Sequence, residues 1–390
     1  MTHPLIESLQ VNEAQFVALR RRFHQQPEIG FEEHKTSDEV ARLLAEWGYE
    51  VHRGLAGTGV VGTLKVGSGE KRLGLRADMD ALPMQEMSGK AWASQVDGRF
   101  HGCGHDGHTT TLLYAAEYLA RTRQFNGTLQ LIFQPAEELL YGGRVMVEDG
   151  LFTKFPCDAI FGLHNMPGQK LGKIGLRDGA MMASSDTLHI EVKGVGGHGA
   201  VPEHTVDATL VACHITLALQ SIVSRNITPF EPAVVTVGSI QAGHAPNIIN
   251  DKVLMKLTVR TLNQQVRETV LQRIHDIAVA QAESFNASAT LTHVNGSPVL
   301  RNDPAANELV REVATSLFGK EQVGTVNPFM GSSEDFAFML ESNPNGCYFT
   351  IGAGDEADRC MVHNPGYDFN DQILLTGAAL WCGLTERYLR

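Results

Sequence analysis

The chain has 390 residues, 43% hydrophobic and 19% charged, with 32 Lys and Arg against 44 Asp and Glu, for a net charge of −12. That length exceeds one ordinary core and favours two domains, or one large domain carrying an insertion. The composition excludes a largely disordered chain, and the acidic balance argues against a general nucleic-acid binder, which needs a basic face to neutralise phosphate.

The N-terminal MTHPLIESLQVNEAQFVALRRRF lacks the apolar core of a signal peptide. No apolar stretch approaches the roughly 20 residues of a membrane span, so a cytoplasmic protein without membrane partners is expected. Six cysteines with no CxxC pair read as reduced thiols, Cys103 being set apart by its glycine and histidine neighbours.

In chain order, apolar spacing predicts helices over 13–24 and 36–47, then strands VVGTLKV and RLGLRA. A helix DGHTTTLLYAAEYLART, a strand GTLQLIF, a short helix YGGRVMVEDG closed by Gly150 and a strand CDAIFGL follow. That alternation implies an α/β domain with a mainly parallel sheet covered on both faces. Near residue 185 the style changes to TLHIEVKGV, DATLVACHITLALQSIVS, AVVTVGSIQAG, VLMKLTVRTL, VRETVLQRIHDIAVAQAESF and SATLTHVNG. The order is βαββαβ, a four-stranded antiparallel sheet backed by two helices. After Pro298 come a helix over 304–318, a strand CYFTI and a last helix ending at Tyr388. The expected division is therefore 1–184 with 298–390 as one domain, and 185–297 inserted into it. No internal repeat is present.

Ligands of parallel α/β sheets bind beyond the carboxyl ends of strands. RLGLRA runs into Asp78 and Asp80, GTLQLIF into Glu137 and Glu138, and CDAIFGL into His164, while His363 stands on a loop before the last helix. HGCGHDGHT, residues 101–109, precedes a helix. By itself this loop is open to three readings: a metal site, a cysteine nucleophile or a polar turn. Cys103 and His105, two apart among glycines, can turn to one point, and thiolate with imidazole favours a late first-row metal.

The motifs RRRFHQQPEIGFEE, RADMDALPM, HGCGHDGHTT, FQPAEE, GLHNMP, GGHGAVPEHTVDA, HAPNIIN and MGSSEDFAF occur in this order over nearly the whole chain. Together they resemble the M20 metallopeptidase superfamily, in its amidohydrolase branch of hippurate hydrolases, N-acyl-L-amino-acid amidohydrolases and auxin-conjugate hydrolases. The resemblance implies a zinc-peptidase-like catalytic domain carrying an inserted lid and dimerisation domain. It also implies two divalent metals per subunit, zinc first, with manganese, nickel or cobalt as alternatives. Cys103 would bridge them, with His105 and His164 completing one and Glu138 and His363 the other. Asp80 would orient a ligand histidine, and Glu137 would be the general base.

From the inserted domain, His198 would stabilise the oxyanion, and Asn247 and Arg260 would bind the substrate carboxylate. Asp78 stands where many superfamily members have a ligand histidine, and Cys103 where many have a bridging aspartate. Asp78, His101, His204 and His244 are left without roles. The implied activity is hydrolysis of the amide of N-acyl amino acids by a metal-activated water, in a homodimer or higher homo-oligomer. Within the same chemistry the alternatives are an N-acetyl- or N-succinyl-diaminopimelate deacylase or a dipeptidase. Outside it stand a cysteine hydrolase using Cys103 and His105, and a silent binding protein.

Overall fold

The computed structural model describes residues 3–329, 331–357 and 359–390. Met330, which opens the MGSSEDFAF motif, lies outside them. The chain divides into two compact units. The first runs to Gly179 and takes in Arg301–Asn327 and Asp335–Arg390; the second comprises Ala180–Leu300 and Pro328–Glu334.

The first unit is built on an eight-stranded sheet. Its order is Glu50–Leu55, Gly59–Val66, Gly127–Gln134, Arg72–Asp78, Ala159–Pro167, Gly346–Gly354, Ile174–Leu176 and Val323–Thr325. The four central strands, from Gly127–Gln134 to Gly346–Gly354, run parallel to one another. Antiparallel pairings flank them on both sides. Strands buried on both faces read as continuous apolar runs. Accordingly Leu129, Leu131, Ile132 and Phe133 on one strand and Ile160 and Phe161 on another are fully buried. The helix His105–Thr122 is buried at every position from His105 to Ala116. Such a helix belongs to the core rather than the surface.

The second unit is a four-stranded antiparallel sheet, ordered Ala233–Ala242, Lys252–Thr261, Ser185–Lys193 and Ser288–Ser297. With helices Ala208–Arg225 and Gln264–Glu283 it has the βαββαβ order expected from sequence. Alternation along the inner strands sends Leu188, Ile190 and Val192, and Val253, Met255, Leu257 and Val259, into one core with Val211, Ile215, Leu219 and Ile274 of the helices. Asp207 and Asn263 cap the two helices by accepting from first-turn backbone N–H groups. By length and composition alone, Ala208–Arg225 is apolar enough to cross a membrane, which corrects the expectation that no stretch comes near that limit. One stripe of it, Val211, Ile215, Leu219 and Ile222, is buried, while Leu210, Leu217 and Val223 are exposed.

Two boundaries differ from the sequence reading in ways that matter for the site. The strand expected to end at Leu163 continues to Pro167, because Thr350, Ile351 and Gly352 of the neighbouring strand pair with His164, Asn165 and Met166. His164 therefore projects from a strand, not from a loop. The helix expected from Asp106 begins at His105. The helix Phe336–Ser342 and the strand Glu50–Leu55 were not anticipated; the latter lacks a clean alternation between buried and exposed positions.

Candidate metal centre

Three chain segments bring acids and imidazoles to one end of the parallel strands. Arg72–Asp78 ends on Asp78 and leads to Asp80, while Gly127–Gln134 leads through Pro135 and Ala136 to Glu137 and Glu138. His164 stands on the strand between them and Gly346–Gly354. The HGCGH loop delivers Cys103 and places His105 in the first turn of its helix. Gly104, at φ +96°, makes that turn: a Cβ there would meet Asn165 Oδ1 at 2.5 Å. His363, also left-handed at φ +63°, donates its backbone N–H to the Gly102 carbonyl at 2.7 Å, which ties its loop to the HGCGH loop.

The outcome is two groups of donor atoms that share one sulfur. Cys103 Sγ groups with one nitrogen each of His105 and His164, and again with Glu138 and His363, all atoms of a group lying within 4.8 Å of one another. Within them, Cys103 Sγ is 3.3 Å from His164 Nε2, and His363 Nε2 is 3.4 Å from Glu138 Oε2. His105, Glu137 and Glu138 form a further group of the same kind.

These residues pass a test of fit for a cation. His105 Nε2 and Glu138 Oε1 are buried without a hydrogen-bond partner. Buried polar atoms are seldom left so, since an unmade hydrogen bond in the interior is costly. Thiolate, imidazole and carboxylate are together the donor set of a late first-row divalent ion.

Electrostatics agree with that use. Burial, reinforced by the Glu138 carboxylate, pushes the Cys103 thiol up to about 12. Such a thiol is no nucleophile at neutral pH, and a cation bound beside it would draw it towards the thiolate. Burial and His108 pull His164 down to about 3, so its imidazole is neutral, as a ligand must be. Although burial opposes the shift, Asp78 and Cys103 hold His105 well above the usual histidine range, so a cation would have to displace its Nε2 proton to bind there. Glu138 is lowered against burial by His363 and His105.

Around the donors lies a buried supporting layer. Asp80 takes His105 Nδ1 at 3.1 Å on one oxygen and the Glu138 backbone N–H at 2.9 Å on the other. Asp78, without a role from sequence, lies 2.6 Å from His108 Nδ1, accepts from Arg76 at 2.8 Å, and is 3.8 Å from His105 Nε2. His108 Nε2 lies 2.6 Å from Asn165 Oδ1, and the Asn165 amide donates to the Tyr367 hydroxyl at 2.7 Å. Asp106 is 2.7 Å from His24 Nδ1 and 3.4 Å from the buried Arg20 guanidinium, which also reaches Asp368 and Asp371. His101 is buried with both ring nitrogens unpartnered, and burial pulls it down to about 4.

Arg76, Asn165, Tyr367, Arg20 and His24 were not found from sequence. For the last two a signal exists. Arg20 and His24 are four apart, on the helix face that also buries Phe16 and Phe23, so a charged pair occupies core positions. The remaining candidates belong to the second unit. His198, exposed, pairs with Ile248 in a two-stranded ladder, and Gly199 N–H donates to the Asn247 carbonyl at 2.8 Å, so these two segments are neighbours. Arg260 lies on another strand, donating to Thr258 Oγ1 at 2.8 Å and the Val259 carbonyl at 3.0 Å. His204 and His244 are exposed.

Comparison with known proteins identifies the family. The model of peptidase family M20/M25/M40 matches residues 74–387. The hippurate hydrolase of Campylobacter jejuni is 43% identical over 97% of both chains. The IAA-amino acid hydrolase ILR1-like 4 of Arabidopsis thaliana is 38% identical over 96% of this chain and 85% of its own. Among solved structures, the YXEP protein of Bacillus subtilis, a dinuclear metal binding peptidase from the M20 family, superposes with a TM-score of 0.83 at 30% identity, covering 97% of this chain and 99% of that one. The family model spans most of the chain and these relatives match nearly all of it: the protein belongs to peptidase family M20/M25/M40, and its activity class is that of a metal-dependent amidohydrolase.

Proposed function

We propose that the protein cleaves the amide bond of N-acyl amino acids, releasing a carboxylic acid and a free amino acid. The observation that carries this is the shared sulfur: two donor groups, Cys103 with His105 and His164 and Cys103 with Glu138 and His363, lie beside the carboxylate of Glu137. The relatives named for hippurate and for IAA-amino acid conjugates supply the substrate class, an acyl group on an amino-acid nitrogen.

In this reading two divalent ions, zinc first among the choices, would be held by these donors: Cys103 would serve both, His105 and His164 one, and Glu138 and His363 the other. The ions, when bound, supply Lewis acidity towards water and the scissile carbonyl. Glu137, next to a ligand and nearly buried, removes a proton from the attacking water and returns it to the leaving nitrogen as the C–N bond breaks. Asp80, by taking His105 Nδ1, aims Nε2 at the donor cluster. The region 185–297 acts as a lid and dimerisation domain. Its His198 stabilises the oxyanion, and Asn247 and Arg260 receive the substrate carboxylate, Arg260 by a two-point contact. We place the enzyme in the cytoplasm as a homodimer or higher homo-oligomer.

The test is a panel of N-acyl amino acids varied in each half, with metal analysis of the same sample. Free amino acid released at about two metals per subunit is the expected result. Release from no member of the panel, by protein carrying its metals, contradicts the reading.

A further inference from the structure

We infer that Glu33 is a positioning residue for the turn that carries Glu137, acting through the backbone N–H of Ala136. This rests on the reading of Glu137 as the base. Glu33 is fully buried. Its Oε1 accepts the Ala136 N–H at 2.8 Å and its Oε2 accepts the Thr58 hydroxyl at 2.7 Å.

The turn needs such a brace. Ala136 adopts φ +54°, in the left-handed region that a residue with a Cβ adopts at a cost. Pro135 before it has no N–H to contribute. What holds Ala136 is its surroundings: its N–H is fixed by Glu33, and its carbonyl accepts the Gly142 N–H at 3.1 Å. Glu137 follows directly, so the direction of its side chain is set by the orientation of that peptide.

The segment that delivers Glu33 is fitted to this task along its length. A Cβ on Gly30 would stand 3.0 Å from Ala136 Cβ and 3.1 Å from its Cα, so the PEIG backbone packs directly against the turn. Two residues before Gly30, the Glu28 carbonyl accepts the Ala81 N–H at 2.8 Å, just beyond Asp80. One short segment thus braces both acid-bearing strand ends. A residue that only filled space here would be apolar. A buried carboxyl costs free energy unless its hydrogen bonds are made, and both of these are directed to fixed donors. Burial and the nearby Asp80 carboxylate push Glu33 up to about 7, in keeping with a group held there for its geometry.

The test compares Glu33→Ala, Glu33→Gln and Gly30→Ala with wild type, using hippurate as substrate and measuring kcat, KM and metals per subunit. Glu33→Ala should lower kcat about 10- to 100-fold, with KM within about threefold and metal content unchanged, since a small misplacement of a reacting group costs rate more than binding. Glu33→Gln keeps an acceptor for Ala136 and a donor for Thr58 Oγ1, and should recover kcat to within about threefold of wild type. The inference is overturned if Glu33→Ala keeps its kcat, or if Glu33→Gln is as impaired as Glu33→Ala. Should Glu33→Ala fail to fold, Gly30→Ala presses on Ala136 with Glu33 intact; the same loss confined to kcat supports the inference, and full activity overturns it. Glu137→Ala, run alongside, separates the two readings. If it turns over normally the proposed function fails, whereas an inactive Glu137→Ala beside a fully active Glu33→Ala removes the inference alone.

Discussion

Asp80 Oδ1 lies 3.1 Å from His105 Nδ1, and this contact decides which nitrogen of the imidazole faces the donor cluster. With Nδ1 taken by the carboxylate, Nε2 is the nitrogen that faces the cluster, where it is buried without a partner and a cation would displace its proton. The other Asp80 oxygen takes the Glu138 N–H at 2.9 Å, so one side chain aligns two donors. Asp80→Ala should weaken metal binding about 10- to 100-fold, the usual cost of losing a partner that orients a ligand. Isothermal titration of metal-free protein with zinc reads this directly; unchanged affinity contradicts it.

Glu137 and Glu138 are adjacent but should respond differently. Glu137→Ala is expected to keep the wild-type metal content while kcat falls about 10²- to 10⁴-fold, the range of a lost general acid–base group. Glu138→Ala should lose metal. Elemental analysis and turnover on the same preparations separate the two, and metal loss in Glu137→Ala would reassign it as a ligand.

The two donor groups sharing Cys103 make a prediction about stoichiometry. Replacing a residue of one group only, as in His164→Ala or His363→Ala, should leave about one tightly held ion, whereas Cys103→Ala should weaken both. Two tightly held ions in Cys103→Ala would exclude the thiolate bridge.

His24 gives a pH dependence of stability. Burial opposes its protonation, but Asp106 and Glu86 outweigh burial and raise it from 6.5 to about 9. A histidine raised on folding contributes stability that is fully present below pH ~6.5 and lost as the pH rises through ~9. That contribution is on the order of 3 kcal/mol. The gap in Tm between wild type and His24→Gln should therefore be widest near pH 6 and shrink towards pH 9. A constant gap would show that His24 is not charged in the folded protein.

Much of this was legible in the sequence, and what was not follows from physical causes. Apolar runs such as GTLQLIF and the period of the βαββαβ segment are local patterns, and they yielded the parallel core of the eight-stranded sheet and the four-stranded sheet. The acids after the strands and the HGCGH loop were visible as chemistry, because Cys, His and Glu clustered at strand ends have few other uses. His164 was assigned to a loop because its position within the strand depends on pairing with Thr350, distant in sequence. Asp78 stayed without a role for the same reason: its partners Arg76 and His108 are found only once strand and helix meet. Glu33 was not singled out from the sequence, and only the fold shows that its carboxyl takes a backbone N–H from Ala136, about a hundred residues away.

The most direct measurement of the central claim is chelation followed by reconstitution. Protein dialysed against a strong chelator, stripped of metal by elemental analysis, is assayed on the N-acyl amino acid that it cleaves best. Zinc, manganese, cobalt or nickel is then added back stepwise. The account predicts loss of hydrolysis on stripping and recovery that saturates at about two ions per subunit. Undiminished hydrolysis by metal-free protein would contradict it.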